Sequence, residues 1–430
     1  MTGDRPLRVA ISTLGCKVNY AEMAELAGSL AAAGCDVVGE DDHADVRVLN
    51  SCTVTVQADA TTRQRLRRMR ALDPDARIVL TGCSVDAHPS RYAPPRDVSG
   101  PRTLPDIDSV FPNARKGEIA DYVVSLGAGR PLAVATPDLR ARAFIKVQEG
   151  CNHRCTYCIV WAARGVSRSV PTDLVASRAR EAAARGHAEI VLTGVDLGSY
   201  GRDIGTGLAR LVTVLLDSLD DGVRIRLSSI NANDVTAALV ELNAHPRLCS
   251  HWHMPLQSGS DDVLRAMHRG YRRAQYLRVV RALRSHDPRT EFTTDIMVGF
   301  PGESDADHRD TVSLVDEVGF LSSHVFRWSP RPGTPATELP ERVDDRTARH
   351  RSAEVRRAAQ RTGEASRQRA LGAVHDVVWD RVDTEGAHGL AATYHRVVAS
   401  ALEEVRIGSL SRVVANAVEG DALRATLLTS

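Results

Sequence analysis

Apolar runs of strand length alternate with helical stretches through the first 330 residues, and this alternation limits the fold more than any other feature. Strands separated by helices are joined by right-handed crossovers into parallel sheets. Leu7–Leu14, Val46–Asn50 and Ala76–Thr81 read as buried strands. Between them, Tyr20–Ala33 reads as a helix ended by Gly34, and Gln57–Leu72 as a helix broken by Pro74. A second series begins at Phe144. Its strands are Phe144–Gln148, Glu189–Thr193, Arg224–Ser228, Ser250–Met254, Phe292–Val298 and His324–Trp328. Helical stretches lie between them, over Thr172–Arg185, Gly207–Leu219, Asp261–Met267 with Ala274–Arg284, and Asp305–Val318. Six such units within about 185 residues fall short of the eight of a closed barrel, so a partial parallel barrel, open on one side, is expected.

The tail changes character. Arg342–Arg369 is helical, and beyond Gly372 short alternating runs separated by Gly-containing turns predict a small antiparallel barrel. Pro94–Pro105 is turn-rich and reads as a surface loop, and the irregular stretch from Gly127 to Arg142 as a linker. The fold class is therefore α/β, in three parts: a flavodoxin-like parallel-sheet domain over 1–128, a partial barrel over 140–368 and a small β-barrel over 369–430.

A chain of 430 residues, 43% hydrophobic and 25% charged, is neither disordered nor collagen-like. It holds no run of 18 apolar residues, and its first residues lack a basic stretch followed by an apolar one, so a cytoplasmic protein without a membrane span is expected. The net charge of +1 means that a nucleic-acid partner must be held by local basic patches. Two candidates stand out: Arg63, Arg65, Arg67, Arg68 and Arg70, and the stretch Arg342–Arg369 with nine Arg against four acids. Arg grips phosphates without reading sequence, although such runs are often solvated helix faces.

Eight cysteines in a cytosolic chain of this size do not suggest a disulfide framework. Cys16, Cys52 and Cys83 each follow one of the first three strands. Open parallel sheets bind ligands beyond the carboxyl ends of their strands, so three thiols about 30 residues apart converge on one point. The plain alternative is three unrelated buried thiols, the role expected of Cys35 and Cys249. Cys151, Cys155 and Cys158 follow the first strand of the partial barrel, on the face where barrel sites are built. Three thiolates in eight residues can wrap one [4Fe–4S] cubane and leave one iron open. Zinc, with His153 as fourth ligand, is the rival.

The motifs extend beyond the cysteines. TLGCKVN surrounds Cys16, NSCTVT surrounds Cys52, and TGC ends at Cys83. KVQEGCNHRCTYCIV holds the trio, followed by ARGVSRS (Ala163–Ser169), LTGVDLGSYG (Leu192–Gly201), MPLQSGSD (Met254–Asp261) and DIMVGFPGE (Asp295–Glu303). Together and in this order they resemble the radical S-adenosylmethionine (radical SAM) methylthiotransferases, over nearly the whole chain. The resemblance implies two [4Fe–4S] clusters. Cys151, Cys155 and Cys158 would hold the one that cleaves SAM, and Cys16, Cys52 and Cys83 the auxiliary one that handles sulfur. It also implies that the last domain is an RNA-binding barrel of the TRAM kind.

The string TLGCKVN and the spacing of the first three cysteines are most similar to the branch acting on N6-threonylcarbamoyladenosine at position 37 of the tRNA anticodon loop, where C2 of the base receives the methylthio group. The alternatives are N6-isopentenyladenosine at the same position, an aspartate of a ribosomal protein, or an iron–sulfur RNA-binding protein without catalysis. An electron donor and a sulfur source are required partners of unassigned identity. By the same resemblance Tyr157, Gly194, Asp196, Ser228, Ser229, Gln257 and Asp295 are candidates for contact with SAM. Each has a plainer reading as a helix cap or backbone partner. His251 and His253 alternate on one strand and face the same way, and a hydrogen-bonded structural or lumen role is expected of them, with a metal pair as the alternative. The chain departs from the family at Trp161-Ala162, where Pro-Tyr is usual, at Asn231, where Glu is usual, and at Ser84, where an aromatic is usual.

Overall fold

The structure is a computed structural model, described here for residues 5–53, 56–92, 107–127, 141–400 and 405–428. The loop expected over 94–105 lies outside the described residues, as does most of the linker expected over 127–142. The chain divides into two compact units. One comprises residues 1–138 together with 150–153 and 158–166, and the other the remainder.

The first unit is a five-stranded parallel sheet of β1 (Arg8–Thr13), β2 (Asp36–Val38), β3 (Val46–Ser51), β4 (Arg77–Gly82) and β5 (Ser109–Phe111). Their order is β2-β1-β3-β4-β5, the flavodoxin-like order. All six residues of β3 are buried, as a central parallel strand covered on both faces requires. Val46 and Val48 face one core with Val9, Leu30, Val79 and Ile119. Leu49 faces another with Leu66, Met69, Ile78, Leu80 and Tyr92. Arg47 interrupts this apolar pattern. It is buried because its guanidinium donates to Asp73 (Nε–Oδ2 2.6 Å) and to the Glu40 carbonyl (2.8 Å).

The second unit opens with β6 (Ala143–Glu149), β7 (Arg168–Ser169), β8 (Glu189–Gly194) and β9 (Arg224–Leu227), then β10 (His251–His253), β11 (Glu291–Val298) and β12 (Ser322–Arg327). They form sheets of order β7-β6-β8-β9 and β10-β11-β12. Parallel bridges from Ile225 to Leu248 and from Ser229 to His253 carry the arc from β9 to β10. Six parallel strands thus make the expected partial barrel. The two-residue β7, antiparallel on the edge of β6, was not legible in the sequence.

Helix ends follow local chemistry. Ser304 caps Asp305–Val318 in a reciprocal box with Asp307, as the acidic run there implies. Asp344 accepts from Thr347 N–H (3.0 Å), so the long helix starts at Asp345 and not at Arg342.

The tail closes into a five-stranded barrel of β13 (Val374–Asp383), β14 (Gly386–Ala391), β15 (Arg396–Ala399), β16 (Leu410–Glu419) and β17 (Ala422–Leu427). Four of its pairings are antiparallel, and β15 closes against β17 in parallel. Its core is built on Val377, Trp379, Val397, Val413 and Leu423. This barrel docks at the amino ends of β8 and β9. Arg224 donates to the Asp376 and Leu390 carbonyls (2.7 and 2.8 Å), and Arg226 to those of Ala391 and Ala392 (2.9 and 3.0 Å). Both arginines also bind Glu189, which is fully buried. Burial pushes the Glu189 carboxyl up, but the charges of Arg226 and Arg224 overcome it and hold the group far below its usual range. Docking at the amino ends leaves the carboxyl ends of the strands free for chemistry. Among the described residues no helix is long and apolar enough to cross a membrane.

Candidate functional site

The expected position of the first three thiols holds. Cys16 and Cys52 come just after β1 and β3, and Cys83 opens a short helix directly after β4. A side chain placed on Gly15 would stand 2.8 Å from Cys52 Sγ, which fixes how closely the β1 and β3 ends approach. Asn19 holds this corner by donating to the Leu14 carbonyl (2.6 Å) and the Ser51 carbonyl (3.2 Å). Ser84, one departure from the family, is buried, and its hydroxyl donates to the Cys52 carbonyl (2.8 Å). Cys16 is the exposed thiol of the three. Loss of hydration around its sulfur still pushes this thiol up, with the Arg164 charge pulling against it.

The sequence reading missed the charged residues of this corner. Arg164 is buried, donates from Nε to Cys83 Sγ (3.3 Å), and reaches Asn19 Oδ1 (2.5 Å) and Glu22 Oε1 (2.8 Å). Lys116 Nζ donates to the other Glu22 oxygen (2.5 Å). Burial pulls the Lys116 ammonium down, and Glu22 opposes that shift. Glu22 sits within a helix and Arg164 within a quoted motif, yet nothing in either local sequence announces a tertiary ion pair.

The trio occupies the loop after β6. Gly150 opens it at φ +73°, and a Cβ there would lie 2.0 Å from the Val166 carbonyl oxygen. Cys151 N–H donates to the Gly165 carbonyl (3.0 Å), and Val160 N–H to Cys158 Sγ (3.4 Å). Farther along, Thr156 is stapled by its N–H to the Met267 carbonyl (3.2 Å) and by its hydroxyl to the Ala266 carbonyl (2.9 Å). Tyr157 packs on a cluster that includes Val263, Met267, Phe300 and Ala336. Cys155 is buried, and Arg269 Nη1 donates to its Sγ at 3.6 Å. None of the three is in a disulfide. N–H groups aimed at Sγ atoms are the surroundings that thiolate ligands of an iron–sulfur cluster require, so this donor set fits such a group.

The remaining candidates lie at the carboxyl ends of the barrel strands. Gly194 closes β8 under Gln148, whose Oε1 would be 2.9 Å from an added Cβ. The same oxygen accepts from Asp196 N–H (2.7 Å). Asp196 is buried and accepts from Ser199 (2.5 Å), so part of its role is local. Ser228 is different: its hydroxyl is buried at the end of β9 and has no hydrogen-bond partner among the described residues. Ser229 pairs through its backbone with His253. Gln257 takes a left-handed φ of +64°, its N–H held by the Asp295 carbonyl (2.8 Å). Asp295 Oδ2 lies 3.4 Å from His253 Nε2. Thr293 Oγ1 is 2.9 Å from both His251 and His253, which gives these two histidines the hydrogen-bonded setting expected of them. Cys35 packs in the apolar core of the first unit, and Cys249 is buried beside Glu189.

Part of each basic run is neutralised. Arg65 pairs with Glu40, Arg68 with Asp41 and Arg70 with Asp108. On the long helix Arg349 pairs with Asp345 and Arg361 with Asp316, while Arg351 turns inward to Glu303. Residue counts alone overstate the charge available to a phosphate backbone.

Residues 145–315 match the family profile described as the Radical SAM superfamily, and residues 8–97 that of Uncharacterized protein family UPF0004. The radical S-adenosylmethionine methyltransferase TsrM from Kitasatospora setae shares the fold at 15% identity, with a TM-score of 0.54 over 77% of this chain and 75% of that one. Residues 145–315 thus form a radical SAM domain. The relatives narrow this further. The threonylcarbamoyladenosine tRNA methylthiotransferase MtaB of Thermotoga maritima is 39% identical across 85% of this chain and 84% of its own. Its namesake in Bacillus subtilis is 34% identical across 80% and 78%. A tRNA-2-methylthio-N(6)-dimethylallyladenosine synthase of Pelotomaculum thermopropionicum is 33% identical across 79% of each. The chain belongs to the radical SAM tRNA methylthiotransferase family.

Proposed function

We propose that this protein is a cytoplasmic transferase that adds a methylthio group to C2 of N6-threonylcarbamoyladenosine at tRNA position 37. The observation that carries this reading is the placement of two sets of three cysteines, none in a disulfide, at carboxyl ends of parallel strands. Cys151, Cys155 and Cys158 would hold one [4Fe–4S] cluster, and Cys16, Cys52 and Cys83 a second. When bound, the clusters supply the electron that cleaves SAM and the site that holds sulfur. The relatives named for threonylcarbamoyladenosine, at up to 39% identity, support that base over the isopentenyl one.

The chain's own residues position and exclude. Gly150 lets the trio loop turn, and Thr156 and Tyr157 anchor its middle against apolar side chains. Ser228, a buried hydroxyl without a partner, is the group best suited to bond a polar end of SAM, because leaving it unpaired costs about 1–3 kcal/mol. Gly194, Asp196, Ser229, Gln257 and Asp295 line the same strand ends, with Tyr157 on the trio loop. We assign the sulfur-handling domain to 1–128, the SAM-cleaving barrel to 140–368 and the RNA-binding barrel to 369–430. An external electron donor and sulfur source complete the reaction.

The test is mass spectrometry of nucleosides from total tRNA of a deletion strain and its parent. Loss of 2-methylthio-N6-threonylcarbamoyladenosine, with the unthiolated nucleoside accumulating, is the expected result. Loss of the isopentenyl counterpart would move the enzyme to the other base, and no change in either would overturn the tRNA assignment.

A further inference from the structure

We infer that Arg269 is a positioning residue that sets how readily the iron–sulfur group held by Cys155 accepts an electron. This rests on the assignment of Cys155 as a cluster ligand under Proposed function. The guanidinium of Arg269 is held on four sides. Nη1 donates to Cys155 Sγ (3.6 Å), Nη2 to Asn231 Oδ1 and to the Pro255 carbonyl (3.4 Å), and Nε to Tyr271 Oη (3.3 Å). It also lies over the Tyr271 ring, 5.0 Å from the centroid. Tyr271 is itself fixed, its hydroxyl donating to the Pro255 carbonyl (2.6 Å). The head group therefore cannot drift from the sulfur without breaking several contacts.

Its electrostatic setting is unusual. Among the described residues no carboxylate accepts from Arg269: its oxygen partners are an amide, a carbonyl and a phenol. The nearest acid along the chain of hydrogen bonds is Asp196, and Asn231 stands between, donating from Nδ2 to Asp196 Oδ1 (3.3 Å) while its own Oδ1 accepts from Arg269 Nη2. A neutral amide thus separates the cation from the anion, and no carboxylate is bonded directly to the guanidinium that donates to Cys155. Reduction adds one electron to a group in contact with this cation, so Arg269 favours the reduced form. Hydrogen bonds and charge near ligating sulfurs are the protein's means of setting such potentials.

The test is a redox titration of the reconstituted full-length protein, with dithionite as reductant, following the electron paramagnetic resonance signal that changes when SAM is added. At fixed potential, Arg269→Gln should lower the ratio of reduced to oxidised cluster at least tenfold, equivalent to about 59 mV for a one-electron couple. Arg269→Lys, which keeps the charge, should stay within about threefold of wild type. Asn231→Asp, which sets a carboxylate against an intact Arg269, should move the ratio in the same direction as Arg269→Gln. Where Arg269→Gln loses its iron, the Asn231→Asp and Arg269→Lys pair decides the matter. Unchanged ratios in Arg269→Gln, or in Asn231→Asp, overturn the inference while the ligand assignment stands. A wild-type protein with no SAM-responsive signal overturns the ligand assignment, and the inference with it.

Discussion

Gly150→Ala should loosen the trio loop by an amount the structure sets. Gly150 has φ of +73°. An alanine at such a positive φ costs about 1–2 kcal/mol. Its methyl would lie 2.0 Å from the Val166 carbonyl oxygen and 2.5 Å from its carbon, closer than atoms can approach. The strand-to-loop backbone must then shift, and the Cys151 N–H bond to the Gly165 carbonyl goes with it, for about 1 kcal/mol more. The total is about 2–3 kcal/mol before any residual strain. If cluster binding requires Cys151 in its native place, that is roughly a 30- to 150-fold loss of iron retention against a competing chelator. The assay is iron and sulfide content of the anaerobically reconstituted protein across a chelator series. A loss of less than about tenfold would refute the reasoning, because the contact with Val166 would then contribute nothing.

Two further outcomes follow from buried groups. Burial, helped by the charge of neighbouring His375, pulls His395 down to about 3 from its usual 6.5, so the folded state holds it neutral while the unfolded state takes a proton below 6.5. Stability contributed by this site should therefore be unchanged above pH 6.5 and fall by up to about 1.4 kcal/mol per pH unit between 6.5 and 3, a slope that His395→Gln should flatten in denaturant titrations. Ser228→Ala should weaken SAM binding about three- to tenfold, by equilibrium dialysis, while leaving iron content and thermal stability at or slightly above wild type, since it removes a buried hydroxyl without a partner. A loss of stability greater than about 1 kcal/mol would mean that the hydroxyl serves the fold instead.

The positions of the cysteines were legible because they depend only on strand–helix alternation. Once β1, β3 and β4 are parallel neighbours, residues that follow them must share one end of the sheet, however far apart they lie in sequence. The short strands were less legible. Ser109–Phe111 and Arg168–Ser169 hold three and two residues, and each is a strand only because a longer neighbour offers it a free edge. The pairing of charges was illegible for a related reason. Arg65 and Arg68 look like part of a basic face, but Glu40 and Asp41, about 25 residues away, neutralise them once the sheet brings the β2–β3 connection beside the helix.

The same dependence on tertiary partners separates the two arginines that donate to cysteine sulfur. Arg164 reaches Cys83 at 3.3 Å with Glu22 bound to its other nitrogen, and Lys116 shares that carboxylate. Arg269 reaches Cys155 at 3.6 Å with only neutral oxygen partners. Both are single basic residues in the sequence, and both make the same kind of bond to sulfur. Their effects differ because a paired guanidinium positions a thiolate with its charge partly cancelled, whereas an unpaired one also adds its field. Arg164 therefore acts chiefly as a geometric brace for Cys83, and Arg269 acts on Cys155 through both geometry and charge.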